Sequence, residues 1–292
     1  MWPGLIILLA MALILVLLLT GAALAYVLSH PPRRTLGRQL ARGLPADPVE
    51  AGAGSFESQN VELGDGLSQE VWVVPGALAD GAVVVLLHGW GDSRYGALAW
   101  LPVLLPVTGS VVLADLSGHG DHPRGGFGWG EREVEDVRRL AEWVGERQPG
   151  RAVVLAGLSV GGVLAIRAAA GPGVADAVIA DSPYRRMQQP VAGVLRRLSV
   201  PRWPVLPIGL GLLRCWASPG LRRETTTDAA AMQVPLLVIH GRHDRLVPEA
   251  DAVAIAAAPP QGQHQLVEDS HHLGAACTDP GAYTELLRRF LP

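Results

Sequence analysis

Six short apolar segments punctuate the chain between residues 71 and 239: Val71–Val74, Val83–Leu87, Val111–Ala114, Val153–Ala156, Val178–Ala180 and Leu236–Ile239. Several are unbroken Val, Ile or Leu, as expected for strands buried on both faces in a parallel sheet. Helical patterns fall between them. Glu131 to Arg147 sets Val134, Val137, Leu140 and Val144 along one face, Val163 to Ala170 is a helix of mainly small residues, and Thr284 to Leu291 is amphipathic. This alternation predicts an α/β fold with a mostly parallel central sheet flanked by helices. One region breaks the rhythm. From about 183 to 232 the chain carries the pairs Arg185-Arg186, Arg196-Arg197 and Arg222-Arg223 around an apolar stretch, Trp203 to Trp216, interrupted by Pro204 and Pro207. That stretch is short of the about 20 residues a membrane span needs, and reads as a cap over a pocket or a membrane-facing patch.

The N-terminus imposes a second constraint. Leu5 to Leu28 is an uncharged, almost wholly aliphatic run, about 36 Å long as a helix and enough to cross a hydrocarbon core of about 30 Å. A secretory signal peptide is the rival reading, with Ala23-Leu24-Ala25 as its cleavage site. No Lys or Arg precedes the run, however, and it exceeds the usual apolar region of about 7–15 residues. Residues 1–30 therefore read as a transmembrane anchor, 31–57 as a juxtamembrane linker, and 58–292 as the globular domain. Arg33, Arg34, Arg38 and Arg42 follow the run, and the positive-inside rule puts that side in the cytoplasm, a secreted or outward-facing domain being the alternative. All 24 basic residues are arginine and the net charge is −3, so no basic face for nucleic acid is on offer. Cys215 and Cys277 are too few and too far apart for a disulfide framework or a zinc site.

Chemistry concentrates where strands end. Val153-Val154-Leu155-Ala156 runs into Gly157-Leu158-Ser159-Val160-Gly161. A serine on a sharp strand-to-helix turn is exposed for attack, glycines at 157 and 161 relieve the crowding around it, and the Val160 amide can donate to an oxyanion. The plain alternative is a serine capping a helix. A second oxyanion donor is expected from the loop His88-Gly89-Trp90-Gly91-Asp92-Ser93, with the Trp90 amide first and Gly91 second. Downstream, Leu236 to Ile239 leads into His240-Gly241-Arg242-His243-Asp244, and Leu266-Val267 into Glu268-Asp269-Ser270-His271-His272-Leu273-Gly274.

The ordered set HGWGDS, DLSGHGDHP, GLSVGG, DSPY, HGRHDRLVP and HHLGA, from about residue 58 to 292, resembles the α/β-hydrolases, specifically membrane-anchored serine hydrolases with an N-terminal hydrophobic helix. The resemblance implies an esterase-like triad and no cofactor. It carries the nucleophile onto Ser159, the acid onto Asp244 and the base onto the His271–His272 pair. His272 is preferred because small residues follow it; a histidine at 271, where the family more often has glycine, leaves the register open. Asp181 stands where some members keep an alternative acid, but reads as structural. His88 and His240 read as hydrogen-bonded structural histidines, and Asp115 and His119 as turn formers. Asp92, His119 and His122 make no convincing metal cluster, and the glycines at 157, 161 and 162 miss the dinucleotide-binding spacing. The expected activity is cleavage of an ester, thioester or related acyl bond in a small-molecule or lipid-like substrate, without cofactor or metal. An acyltransferase on the same triad and a non-catalytic binding protein of the same fold are the alternatives.

Overall fold

The computed structural model describes residues 3–64, 66–215 and 219–292; Met1 and Trp2 of the expected anchor, and Trp216 at the end of the apolar stretch in the expected cap, lie outside them. Eight strands form one sheet: β1 Glu57–Gly64, β2 Leu67–Pro75, β3 Val83–Leu87, β4 Ser110–Ala114, β5 Val153–Leu158, β6 Ala177–Asp181, β7 Leu236–Gly241 and β8 Gly262–Val267. Their order is β1-β2-β4-β3-β5-β6-β7-β8, with β2 antiparallel to both neighbours and every pair from β4 onward parallel. The five strands β3 to β7 are buried along their whole length, which is why their sequences are continuous apolar runs.

Alternation in these runs decides which side of the sheet each side chain serves. Val83, Val85 and Leu87 join one core layer, with the helix Glu131–Arg147 and the helix Val160–Ala169 that follows β5. Val84 and Leu86 join the other, beneath Tyr95, Leu98, Leu101, Tyr283 and Leu287. The strand β1, not anticipated from the sequence, is an edge strand with only Val61 and Leu63 turned inward, so no apolar run marks it.

The interrupting region contributes to two layers. Its helices Gln188–Arg197 and Arg202–Leu213 pack on each other, whereas Thr225–Ala231 packs on Val160–Ala169 and Glu249–Ala256 in the layer flanking the sheet. Thr225 closes the excursion, its hydroxyl donating to the Tyr184 carbonyl at 2.7 Å and its amide to that of Arg185 at 3.0 Å.

At the N-terminus, Pro3–Ser29 is one helix, long and apolar enough to cross a membrane. Its large side chains from Leu5 to Val16 are exposed, Leu17 is half-buried, and full burial begins at Gly21. From there it lies against Arg202–Leu213 at a glycine crossing: a Cβ on Gly209 would stand 2.6 Å from Leu24 Cδ2, and one on Gly21 would overlap Ile208. The helix does not lead into a free linker. Arg33 donates to the carbonyls of Gly118, His122 and Arg124, Arg34 pairs with Asp92 at 2.7 Å, and Leu36–Leu40 forms a short helix. Two of the four arginines that follow the helix are thus held by loops of the domain.

Arg94 holds the other side of these loops. Only 3% exposed, it binds Glu70 at 2.6 Å, Asp115 at 3.3 Å and Asp121 at 3.4 Å, with its guanidinium over the Trp72 ring. Burial pushes the Asp115 carboxyl up to about 6, against the pull of Arg94 and two backbone amides. Arg94→Met strands that carboxyl, and a loss of about 3–5 kcal/mol is expected. Thermal unfolding of the detergent-solubilised full chain checks it; a melting temperature within a degree or two of wild type would contradict this account.

Candidate active site

Ser159 terminates β5 with φ 54° and ψ −112°, a left-handed backbone that a non-glycine residue adopts only where its surroundings impose it. What imposes it is backbone packing. A Cβ at Gly157 would collide with the Gly161 carbonyl, and one at Gly161 with the carbonyl oxygens of Leu87 and His88 at the end of β3. The turn therefore presses helix Val160–Ala169 onto two strands at once and leaves the Ser159 side chain at the carboxyl edge of the sheet.

Two further loops meet it there. His272 Nε2 lies 3.1 Å from Ser159 Oγ, and His272 Nδ1 lies 2.6 Å from Asp244 Oδ2. The other Asp244 oxygen accepts the amides of Leu246 and Val247 at 2.8 and 2.9 Å. Burial alone would raise the Asp244 carboxyl, but the His272 hydrogen bond and charge, with those amides, hold it below its ordinary value. His271, the competing histidine, faces outward and its Nδ1 lies 3.1 Å from the His243 carbonyl.

Around this line the sequence-derived candidates sort by contact. Val160, the first residue of its helix, has an amide with no intrahelical partner. The Trp90 amide has no acceptor among the described residues, and Trp90 lines the same cavity as Ser159 and His272. His88 fixes this loop: Nδ1 donates to the Gly89 carbonyl at 2.8 Å and Nε2 accepts the Leu116 amide at 2.9 Å, with burial lowering the ring to about 4. His240 departs from expectation. Buried at the end of β7, it has neither ring nitrogen in hydrogen-bond geometry among the described residues, and Nε2 stands 3.8 Å from Asp244 Oδ2. Asp115 accepts the amides of Arg94 and Asp121, and buried His119 stacks edgewise between His88 and Phe127.

Asp181 does not contact His272 by a hydrogen bond. It accepts the Ser182 hydroxyl at 2.8 Å and the Tyr283 hydroxyl at 3.2 Å, and burial pushes it up to about 6. Ser182 in turn accepts the Leu273 amide at 3.2 Å, tethering the residue after His272. Sequence reasoning did not find this Tyr283–Asp181–Ser182 support. The serine stood in the DSPY motif, but its partners come together only in three dimensions.

Above Ser159 is a cavity of about 490 Å³, within the range of small-molecule sites. Trp90, Val160, Leu273 and His272 form its floor, and the helix Gln188–Arg197 supplies Val191, Val194 and Leu195. One wall comes from the N-terminal helix through Thr20, Ala23, Leu24, Val27 and Leu28, spaced along a single face.

The sequence profile of the alpha/beta hydrolase family matches residues 84–286, well over half of the chain, and the chain belongs to that family. Among solved structures, an esterase from Pyrococcus furiosus is similar with a TM-score of 0.70 and 20% identity, covering 91% of this chain and 99% of its own. A bromoperoxidase from Bacillus anthracis has a TM-score of 0.58 at 20% identity, covering 80% and 99%. An enol-lactonase from Burkholderia xenovorans has a TM-score of 0.58 at 19% identity, again covering 80% and 99%. A comparison with curated proteins found no match.

The close packing at the elbow makes a paired prediction. Gly161→Ala, which drives a methyl into two carbonyl oxygens, is expected to cost at least about 2 kcal/mol. Gly125→Ala, with open space around it, is expected to stay within about 0.5 kcal/mol of wild type. Thermal unfolding of the two variants side by side checks the difference; equal stability would refute the packing argument.

Proposed function

We propose that this chain is a membrane-anchored serine hydrolase that cleaves an ester, thioester or related acyl bond. The observation that carries the reading is the unbroken line from Ser159 through His272 to Asp244, at 3.1 and 2.6 Å, on the floor of an apolar cavity. Ser159 Oγ attacks the acyl carbon while His272 Nε2 takes the hydroxyl proton. The oxyanion is stabilised by the amides of Val160 and Trp90, each worth about 2.7–4 kcal/mol of barrier in comparable sites. His272 returns the proton to the departing alcohol or thiol. Water then attacks the acyl-enzyme, giving its proton to Nε2, and the acid leaves with Ser159 restored. Asp244, kept ionised, orients the ring and stabilises the imidazolium.

The docked N-terminal helix supports an uncleaved anchor over a signal peptide. Cleavage after Ala25 would strip Thr20, Ala23 and Leu24 from the cavity wall and expose the core position that Ala25 fills. The arginines after the helix favour a cytoplasmic domain. A reporter fused after residue 292 is expected to register as cytoplasmic; activity on the opposite side of the membrane would overturn this topology.

Fluorophosphonate labelling of the full chain in detergent tests the chemistry. Wild type is expected to label and Ser159→Ala not at all. His272→Ala and Asp244→Asn are expected to lose about 10³-fold or more in rate, and His271→Ala no more than about threefold. A folded wild type that takes no label would favour the non-catalytic reading. Product analysis with an added alcohol separates hydrolysis from acyl transfer.

A further inference from the structure

The cavity wall contributed by the N-terminal helix bears on where the substrate comes from. Wherever about 20 residues of the Pro3–Ser29 helix cross a hydrocarbon core, the crossing ends no earlier than about residue 22. Thr20, Ala23 and Leu24, which wall the cavity, therefore stand at the membrane boundary or inside it.

The cavity also reaches the surface on that side. Val27 of the N-terminal helix and Val194 and Leu198 of the cap line it and are nevertheless 47, 43 and 65% exposed, so its mouth lies between the helix and the cap. Beside the mouth, residues 196–203 present exposed Arg197, Leu198, Arg202 and Trp203, the last 76% exposed. Exposed aliphatic and indole side chains flanked by arginines suit the region where acyl chains meet anionic headgroups. An apolar patch continuous with a helix of this length is not one that water would solvate well.

The mouth is held in register with the catalytic serine. The final carbonyls of the helix are capped by the domain: the Trp129 indole donates to the Leu28 carbonyl at 2.9 Å and the Phe127 amide to that of Ser29 at 2.8 Å. Glu133, 1% exposed, clamps this loop by accepting the amides of Gly128 and Gly130 at 2.7 and 2.8 Å. The Trp90 indole also reaches the Leu28 carbonyl, at 3.4 Å, from a residue that lines the same cavity as Ser159.

We infer that the substrate is an acyl lipid resident in the bilayer, and that its chain enters sideways between the N-terminal helix and the cap, with the membrane helix itself forming one wall of the acyl pocket. This rests on the hydrolase reading. It differs from simple tethering, in which the anchor only keeps the domain near a membrane and the pocket takes substrate from water.

The test uses the full chain reconstituted into vesicles containing about a third anionic lipid. The quantity read is the ratio of turnover of a long-chain ester dissolved in the bilayer to turnover of a water-soluble short-chain ester. Ala23→Trp, which fills the wall from the membrane side, and Trp203→Glu, which charges the rim, are each expected to lower that ratio at least tenfold. Labelling by a short-chain fluorophosphonate reports on folding and on the serine in the same samples. Should Ala23→Trp disturb the helix, the surface substitution Trp203→Glu carries the test alone. A ratio within twofold of wild type in Trp203→Glu, or a wild type that turns over only the soluble ester, overturns lateral entry while leaving the hydrolase intact. Absence of labelling in wild type removes the hydrolase reading, and lateral entry with it.

Discussion

Between Gly161 and the carbonyl oxygens of Leu87 and His88 there is room for a hydrogen atom and nothing larger. That contact brings the ends of β3 and β5 and the start of the following helix to one point, and holds Ser159 in a backbone conformation it would not adopt alone. The parallel sheet makes the rest follow. Neighbouring parallel strands end on the same edge, so the loops after β3, β5, β6, β7 and β8 all converge there. The Trp90 loop, Ser159, Ser182, Asp244 and His272 each come from one of those loops.

A second set of contacts joins this edge to the apolar helix. A helix end leaves carbonyls without partners, and here the domain supplies donors to the last of them through Trp129 and Phe127. Glycines at 21 and 209 let the helix backbone approach the cap closely enough for the two to share a cavity. The helix is thus continuous with the protein core at Ala25 and Leu28 while its first part is bare.

Much of this was legible in the sequence because burial on both faces writes a strand as an unbroken apolar run. The strands β3 to β7 fall within a residue or two of those runs, whereas the candidates Ser159, Asp244 and His272 came from short motifs at strand ends and from the family resemblance that their order carries. The edge strand β1 left no such mark, since Val61 and Leu63 alone face inward among polar residues. The wall of the cavity was invisible for a different reason. Hydropathy is the same whether a leucine faces lipid or a pocket, so Leu5 to Leu28 read as one uniform span. The small residues Gly21, Ala23 and Ala25 were the local hint of close packing, and they were equally compatible with a cleavage site. Arg33 and Arg34 were legible as positive charge following the helix, but their contacts with the loops of Gly118, His122 and Asp92 were not, because those partners lie far away in sequence. The surroundings of the buried His240 ring, with Nε2 3.8 Å from Asp244 Oδ2, depend on what meets at the end of β7, which no local pattern encodes.

The shared wall has a consequence for how the protein is made. The helix is synthesised before the helices and strands it leans on and, in the reading proposed here, is the segment the insertion machinery would take up. The wall that the helix gives the cavity is therefore made before the rest of the cavity. A chain left in the aqueous phase would hold its first turns, from Leu5 to Val16, bare in water. In that reading, insertion covers the bare surface, so one helix both seats the chain in the bilayer and walls its pocket.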